Sequence, residues 1–155
     1  MLKFNDYSEN VLFCWKNIIL KRRMKMTYQI KGVSLTERGW AGHFICSDKC
    51  CFRRNTLLEY NGIQVVVSTV GAMVIRTPNG LKREWDTIGY NRYYETMAFL
   101  AKEDNGYIEA DVNKEIDFNS NWCIDHIGNG SDNEANEMHD KVCLEIVDML
   151  VENLI

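Results

Sequence analysis

One proline and ten glycines in 155 residues leave no composition for a long flexible linker. No internal repeat or low-complexity tract is present, so the chain reads as a single globular domain. Its most apolar early stretch, from Val11 to Leu20, is too short and too interrupted to span a bilayer. The basic residues Lys21, Arg22 and Arg23 follow that stretch instead of preceding it, and no small-residue cleavage site appears, so it is not a secretory signal. There is no glycine-rich phosphate loop, nucleophile elbow or metalloprotease helix motif. The segment Gly39-Trp-Ala-Gly42 lacks the lysine and the strand-to-helix setting that a phosphate cradle needs.

Hydrophobic residues make up 46% and charged residues 26% of the chain, values that exclude a disordered or fibrous protein. At this size a fold buries about two-thirds of the surface its unfolded chain exposes, enough for a real core. Six cysteines without a signal peptide point to a reducing cytoplasm and free thiols.

The net charge of −4 hides a strong asymmetry. Residues 1–25 sum to +4 and residues 26–100 to +3, whereas residues 101–155 carry fourteen acids against three lysines. Such a C-terminal third repels nucleic acid and attracts a basic protein surface. The acids that would make the contact are Glu103, Asp104, Glu109, Asp111, Glu115 and Asp117, with Glu137, Asp140, Glu145, Asp148 and Glu152 on the outer face of a C-terminal helix. A plainer reading of the same residues is a solvated face that keeps the protein soluble.

Residues 1–25 form a leader of doubtful status. Arg22-Arg23 before Met24-Lys25-Met26 can be encoded by a purine-rich ribosome-binding site just upstream of a start codon, which places initiation at Met24 or Met26 and implies a bacterial gene. The alternative is a short amphipathic helix. Residues 26–155 are then the globular domain.

Within it, Asn61-Gly62 is the favoured two-residue hairpin turn, since both positions tolerate positive φ. It pairs Tyr60 with Ile63, Leu58 with Val65 and Thr56 with Val67 on one mostly apolar face. Tyr28 to Gly32 and Gly42 to Cys46 read as short strands about a turn at Gly39-Trp40, and Val74 to Arg76 extends the sheet. Residues 93–102 fit either a helix, with Tyr94, Met97, Ala98 and Ala101 on one face, or a strand, and their lead through Asp104-Asn105-Gly106 into the alternating 107–112 favours a second hairpin. Ser131 and Glu134 have the spacing of a capping box, after which Ala135, Met138, Val142, Ile146, Met149 and Leu150 share a helical face. Strands first and one helix last define an α+β fold, a mainly antiparallel sheet built from hairpins with the helix packed on it.

Three residue sets carry chemistry. Cys123, His126, His139 and Cys143 have zinc-finger intervals with the ligand types shuffled, although a packed histidine and a small buried thiol account for the last two as well. His43 lies near Cys46, Cys50 and Cys51, the minimum for thiol catalysis, but spacing supplies no third orienting group. Trp40, His43, Arg53, Arg54, Arg92 and Tyr93 form a polar, aromatic concentration of the kind that stacks single-stranded nucleic acid. Internal pairing with Glu37, Glu59, Glu84 or Glu95 explains those arginines more simply.

Arg38-Gly-Trp-Ala-Gly-His-Phe44, Phe52-Arg-Arg-Asn-Thr-Leu57, Val66-Val-Ser-Thr-Val-Gly71, Tyr94-Glu-Thr-Met-Ala-Phe99 and Glu109-Ala-Asp-Val112 resemble blocks of small proteins from prophages and conjugative elements of Gram-positive gut bacteria. The resemblance covers residues 38–145 and brings no catalytic or ligand residue with it. It implies a cytoplasmic accessory protein that binds host machinery, in the manner of anti-CRISPR and anti-restriction inhibitors. The expectation is therefore a non-enzymatic acidic binding protein whose partner is a basic, nucleic-acid-binding host protein. A small Cys/His enzyme or zinc-dependent module, and a single-stranded nucleic-acid binder, stay open as alternatives.

Overall fold

The computed structural model describes residues 26–39, 43–44, 46–76 and 83–155. The leader, Trp40, and the start-site and turn readings that depend on them lie outside these residues. Among the described residues eight strands form one antiparallel sheet in the order β1-β2-β3-β4-β6-β7, with β5 on β4 and β8 on β6. They are β1 (Met26–Ile30), β2 (Val33–Glu37), β3 (Cys50–Tyr60), β4 (Ile63–Arg76), β5 (Arg83–Asp86), β6 (Tyr94–Asp104), β7 (Tyr107–Glu115) and β8 (Cys123–Ile124). A single helix, α1 (Ser131–Val151), closes the fold. The α+β architecture is as the sequence pattern implies.

Sequential hairpins build the sheet. Asn61 and Gly62 both have positive φ, 48° and 84°, and the expected register holds from Tyr60↔Ile63 through Leu58↔Val65 to Thr56↔Val67. Asn105 and Gly106, at φ 51° and 80°, join β6 to β7 as the second hairpin. β4 is long enough to serve two neighbours: Val65–Gly71 pairs with β6 and Met73–Arg76 with β5, on either side of Ala72 at φ 51°. Gly71 permits a close approach there. A Cβ on it would stand 2.2 Å from Cδ1 of Tyr94 and 2.7 Å from the carbonyl oxygen of Tyr93.

Both faces of the central strands β3, β4 and β6 are largely buried, so these strands carry apolar residues on both sides. On one face Leu35, Leu58, Val65, Val67 and Ala98 meet Val142, Ile146, Val147 and Leu150 of α1. Each such side chain contributes about 1.5–3 kcal/mol when fully buried. On the other face Leu57, Val66, Val70 and Phe99 are covered without the helix. Val70 packs there with Cys50, Met73 and Ile88, against Phe44 and Cys46. Arg38, just past β2, reaches across this second face to the carbonyl of Ile108 on β7, which shows how far the sheet curls.

Two local expectations are corrected. His43, Phe44 and Cys46 are not in a strand: Ser47 donates to Phe44 O (3.0 Å) and Lys49 to Cys46 O (2.9 Å), winding the chain into a 3-10 turn over Ser47–Lys49. Phe44 and Cys46 spend their apolar surface on the core beneath, not on a strand partner. The Ser131/Glu134 capping box does not form. The N-cap is Gly130 at φ 92°, and Ser131 Oγ instead accepts the Gly128 amide at 2.9 Å. Asp132 fastens the first turn by accepting from the Tyr94 hydroxyl at 2.8 Å, while Glu134 pairs with His126 at 3.0 Å.

Candidate functional site

The face of the sheet away from α1 carries a polar cluster in an otherwise apolar layer. Glu95 lies opposite Val70 in the β4–β6 ladder, and Ser68 lies opposite Met97 two pairs further on, on the same face. Asn55 stands opposite Ser68 on β3 and accepts from Arg38 Nε at 2.8 Å. Burial works against the Arg38 charge and lowers its pKa, with Glu109 and Glu59 opposing that shift.

Glu95 is the centre of the cluster. Its side chain is 9% exposed, and it receives Arg92 Nη2 at 2.5 Å on one oxygen and faces His43 Nε2 at 3.4 Å on the other. Burial alone would raise the Glu95 pKa, but His43 and the Arg92 guanidinium outweigh it and hold the carboxyl below its ordinary value. His43 is 3% exposed, its ring 5.8 Å from that of Phe99. Among the described residues neither ring nitrogen of His43 completes a hydrogen bond, and Arg92 Nε and Ser68 Oγ are likewise buried without a partner. Native proteins leave few such groups unserved.

Local folding explains how Arg92 arrives there. Tyr90 and Asn91 both have positive φ, 47° and 59°, in a tight turn closed by Ile88 N to Arg92 O and Arg92 N to Gly89 O. The returning chain places the guanidinium 5.3 Å from the Tyr90 ring and 4.9 Å from the Trp122 ring. Trp122 is positioned by β8, since Thr96 N donates to Trp122 O and Tyr93 N to Ile124 O. Next to this assembly lies a cavity of about 360 Å³, lined by Arg92, Glu95, Met97, Ile116, Phe118 and Trp122 and by the carboxylates Glu115 and Asp117, with Thr96 completing the wall.

The expected polar set is therefore divided. His43 and Arg92 meet at Glu95, as the internal-pairing reading has it. Arg54 points to the opposite face, where Nη2 holds Glu37 at 2.6 Å and Asp140 at 2.7 Å, and Nη1 donates to Asn136 O at 3.2 Å. It is a clamp between β2, β3 and α1. Tyr93 packs with the Phe52–Tyr94 cluster, and Arg53 lies opposite Val70 on β3.

The four residues with zinc-finger spacing are not brought together either. His139 is fully buried under α1 with Nε2 at 2.8 Å from Thr56 Oγ1 and Nδ1 at 2.6 Å from Thr69 Oγ1. His126 is on the surface between Glu134 and Asp125. Burial pushes the Cys143 thiol up to about 12, so it stays protonated and a poor ligand. Among the described residues no group of three or more His, Cys, Asp and Glu is arranged to hold a metal ion. Among the thiols that follow His43, burial raises that of Cys50 to about 11.

The acidic residues separate into two groups. Asp148 pairs with Lys31 at 2.6 Å, Asp140 with Arg54, and Asp111 with Lys114 at 3.8 Å. Glu145 accepts the Asn119 and Ser120 amides at 2.6 and 2.8 Å, which tie the chain after β7 to α1. Glu103, Asp104, Glu109, Glu115, Asp117, Glu137 and Glu152 are exposed and form no salt bridge among the described residues, although Glu109 acts at longer range on Arg38 and Glu152 on Lys31. Trp122 escapes sequence reasoning, and Glu95 enters it only as one of four candidate partners for the arginines. The Arg92-x-x-Glu95 spacing is a signal, but on a strand it would place the two on opposite faces, and only the turn before β6 reverses that.

Comparison with protein-family models, curated proteins and solved structures returns no match. No helix among the described residues is long and apolar enough to cross a membrane.

Proposed function

We propose that this is a non-enzymatic binding protein that docks a basic protein surface through the β6–β7 hairpin. The observation that carries the reading is the composition of β7. It is an outer strand of the sheet, and Tyr107 (73% exposed) and Val112 (53% exposed) are interspersed there with the carboxylates of Glu109 and Glu115, Val112 lying where the β6–β7 register breaks. A purely solvating face has no use for exposed tyrosine and valine, whereas interfaces combine apolar anchors with charge that selects the partner. The unpaired acids Glu103, Asp104 and Asp117 flank the same hairpin. The finer form of the reading is that the partner is a nucleic-acid-guided or restriction nuclease, whose basic groove this face would occupy in competition with nucleic acid.

Capture from an extract of the source cell, compared across variants, tests it. The partner held by the unaltered chain should be lost when Glu103, Glu109 and Glu115 are changed to Lys, and again with Tyr107→Ser and Val112→Ser together. It should also be lost as salt rises from 0.15 to 1 M, where the screening length falls from about 8 Å to about 3 Å. A partner retained by both variants overturns the proposal.

A further inference from the structure

We infer that the cavity beside Trp122 is an anchor pocket for a single basic side chain, lysine or arginine, of the docked partner. The inference rests on the reading of β7 as the docking strand and adds the site at which that strand ends. Glu115 is the last residue of β7, and Asp117 follows two residues later, so the rim of the pocket continues the proposed docking face.

The chemistry of the walls selects a cation with an alkyl stem. Met97, Ile116, Phe118 and Trp122 supply apolar and aromatic surface, and three carboxylates line the space against one guanidinium. Arg92 is already engaged by Glu95 at 2.5 Å, which leaves Glu115 and Asp117 as uncompensated charge at the opening. A cleft lined by one sign of charge between low-dielectric walls concentrates counter-ions of the other sign. The volume, about 360 Å³, lies at the small end of the range for ligand sites, about 300–1,000 Å³. It suits one side chain better than an extended ligand. The protein's own Arg92 shows that the neighbourhood accepts a guanidinium, since its group sits 4.9 Å from the Trp122 ring centre, within cation–π range. The 42% exposure of Trp122 leaves ring surface for an incoming group.

The test uses the full chain and small probes, so it needs no identified partner. Butylguanidinium and butylammonium are titrated into the protein while the indole N–H of Trp122, assigned with Trp122→Phe, is followed by NMR. Butanesulfonate and sodium chloride at equal ionic strength serve as controls. The two cations should shift the Trp122 signal saturably, and Glu115→Gln with Asp117→Asn should weaken them by about tenfold, as expected when two exposed carboxylates are neutralised beside a low-dielectric wall. No saturable shift, an equal shift with butanesulfonate, or full binding by the neutralised variant overturns the inference. Changing Glu103 and Glu109 to Lys should leave the cation titration within twofold. Loss of partner capture in that variant with no cation binding in the unaltered chain therefore rejects the pocket alone, while cation binding with partner capture insensitive to charge reversal rejects the docking strand.

Discussion

Replacing His139 with leucine tests whether the polar layer under α1 is structural. The ring is fully buried, and each nitrogen meets a threonine hydroxyl, Thr56 at 2.8 Å and Thr69 at 2.6 Å, with Thr69 bonded onward to Thr96 at 2.7 Å. Leucine preserves most of the volume but removes both partners. A buried hydroxyl left unserved costs about 1–3 kcal/mol. Thr69 keeps Thr96 and Thr56 keeps only the weak Cys143 thiol, so the loss falls mainly on Thr56, and about 2–4 kcal/mol is expected in all. That is a large share of a total stability of about 5–15 kcal/mol, yet it leaves the variant folded. Urea denaturation reads the change as a lower midpoint at constant slope. The decisive comparison is a variant that also carries Thr56→Val, Thr69→Val and Thr96→Val. Removing every member of a satisfied network together is close to neutral, so this variant should recover at least half of the loss. A His139→Leu cost below about 1 kcal/mol, or a combined variant less stable than the single one, would refute the assignment.

Gly71→Ala should cost about 1–3 kcal/mol in the same assay, the usual range for overpacking, because the new Cβ meets the Tyr94 ring and the Tyr93 carbonyl; unchanged stability would show that β4 and β6 can part there. The depressed pKa of Glu95 means that its ion pairs add stability above the ordinary value of 4.5, and that this stability drains away as pH falls below 4.5 toward the lower folded value. Glu95→Gln should therefore lower stability at pH 7 and flatten the acid limb of the stability curve below pH 4.5, and an unaltered limb would contradict the assignment. Alkylation at pH 8 should modify Cys50 and Cys143 only on unfolding, since burial raises their thiols to about 11 and about 12; rapid modification of either in the native protein, measured by mass, would contradict their placement.

What sequence patterning reaches here is whatever depends on neighbours in the chain. Asn61-Gly62 and Asn105-Gly106 specify their turns locally, and alternation then decides which side of each strand faces α1. The helix face is legible for the same reason, although the spacing puts His139 and Cys143 at its flank and the structure buries both. β5 and β8 leave little signal. They are four and two residues long, and their pairing is set by strands already in place. The failed capping box shows the limit of spacing rules, since Tyr94, far away in sequence, claims Asp132, and His126, in the segment just before the helix, claims Glu134. The site suffers most, because it joins a turn near Arg92, a residue of β6, the segment before β8 and the end of β7.

The two sides of the sheet make opposite use of a buried histidine. Under α1, His139 finds a hydroxyl for each nitrogen, in a layer sealed by Val142 and Met138 of the same helix. Such a network rigidifies and specifies the packing, and it offers nothing to a ligand. On the other side His43 is just as dry but incompletely bonded, and it leans on a carboxylate that also holds Arg92 at the wall of a cavity. Keeping a charged, under-served group at such a depth costs stability that a purely structural layer would have no reason to forgo. That asymmetry supports the proposed docking on the cavity side of the sheet, where β7 ends, while the helix side secures the fold.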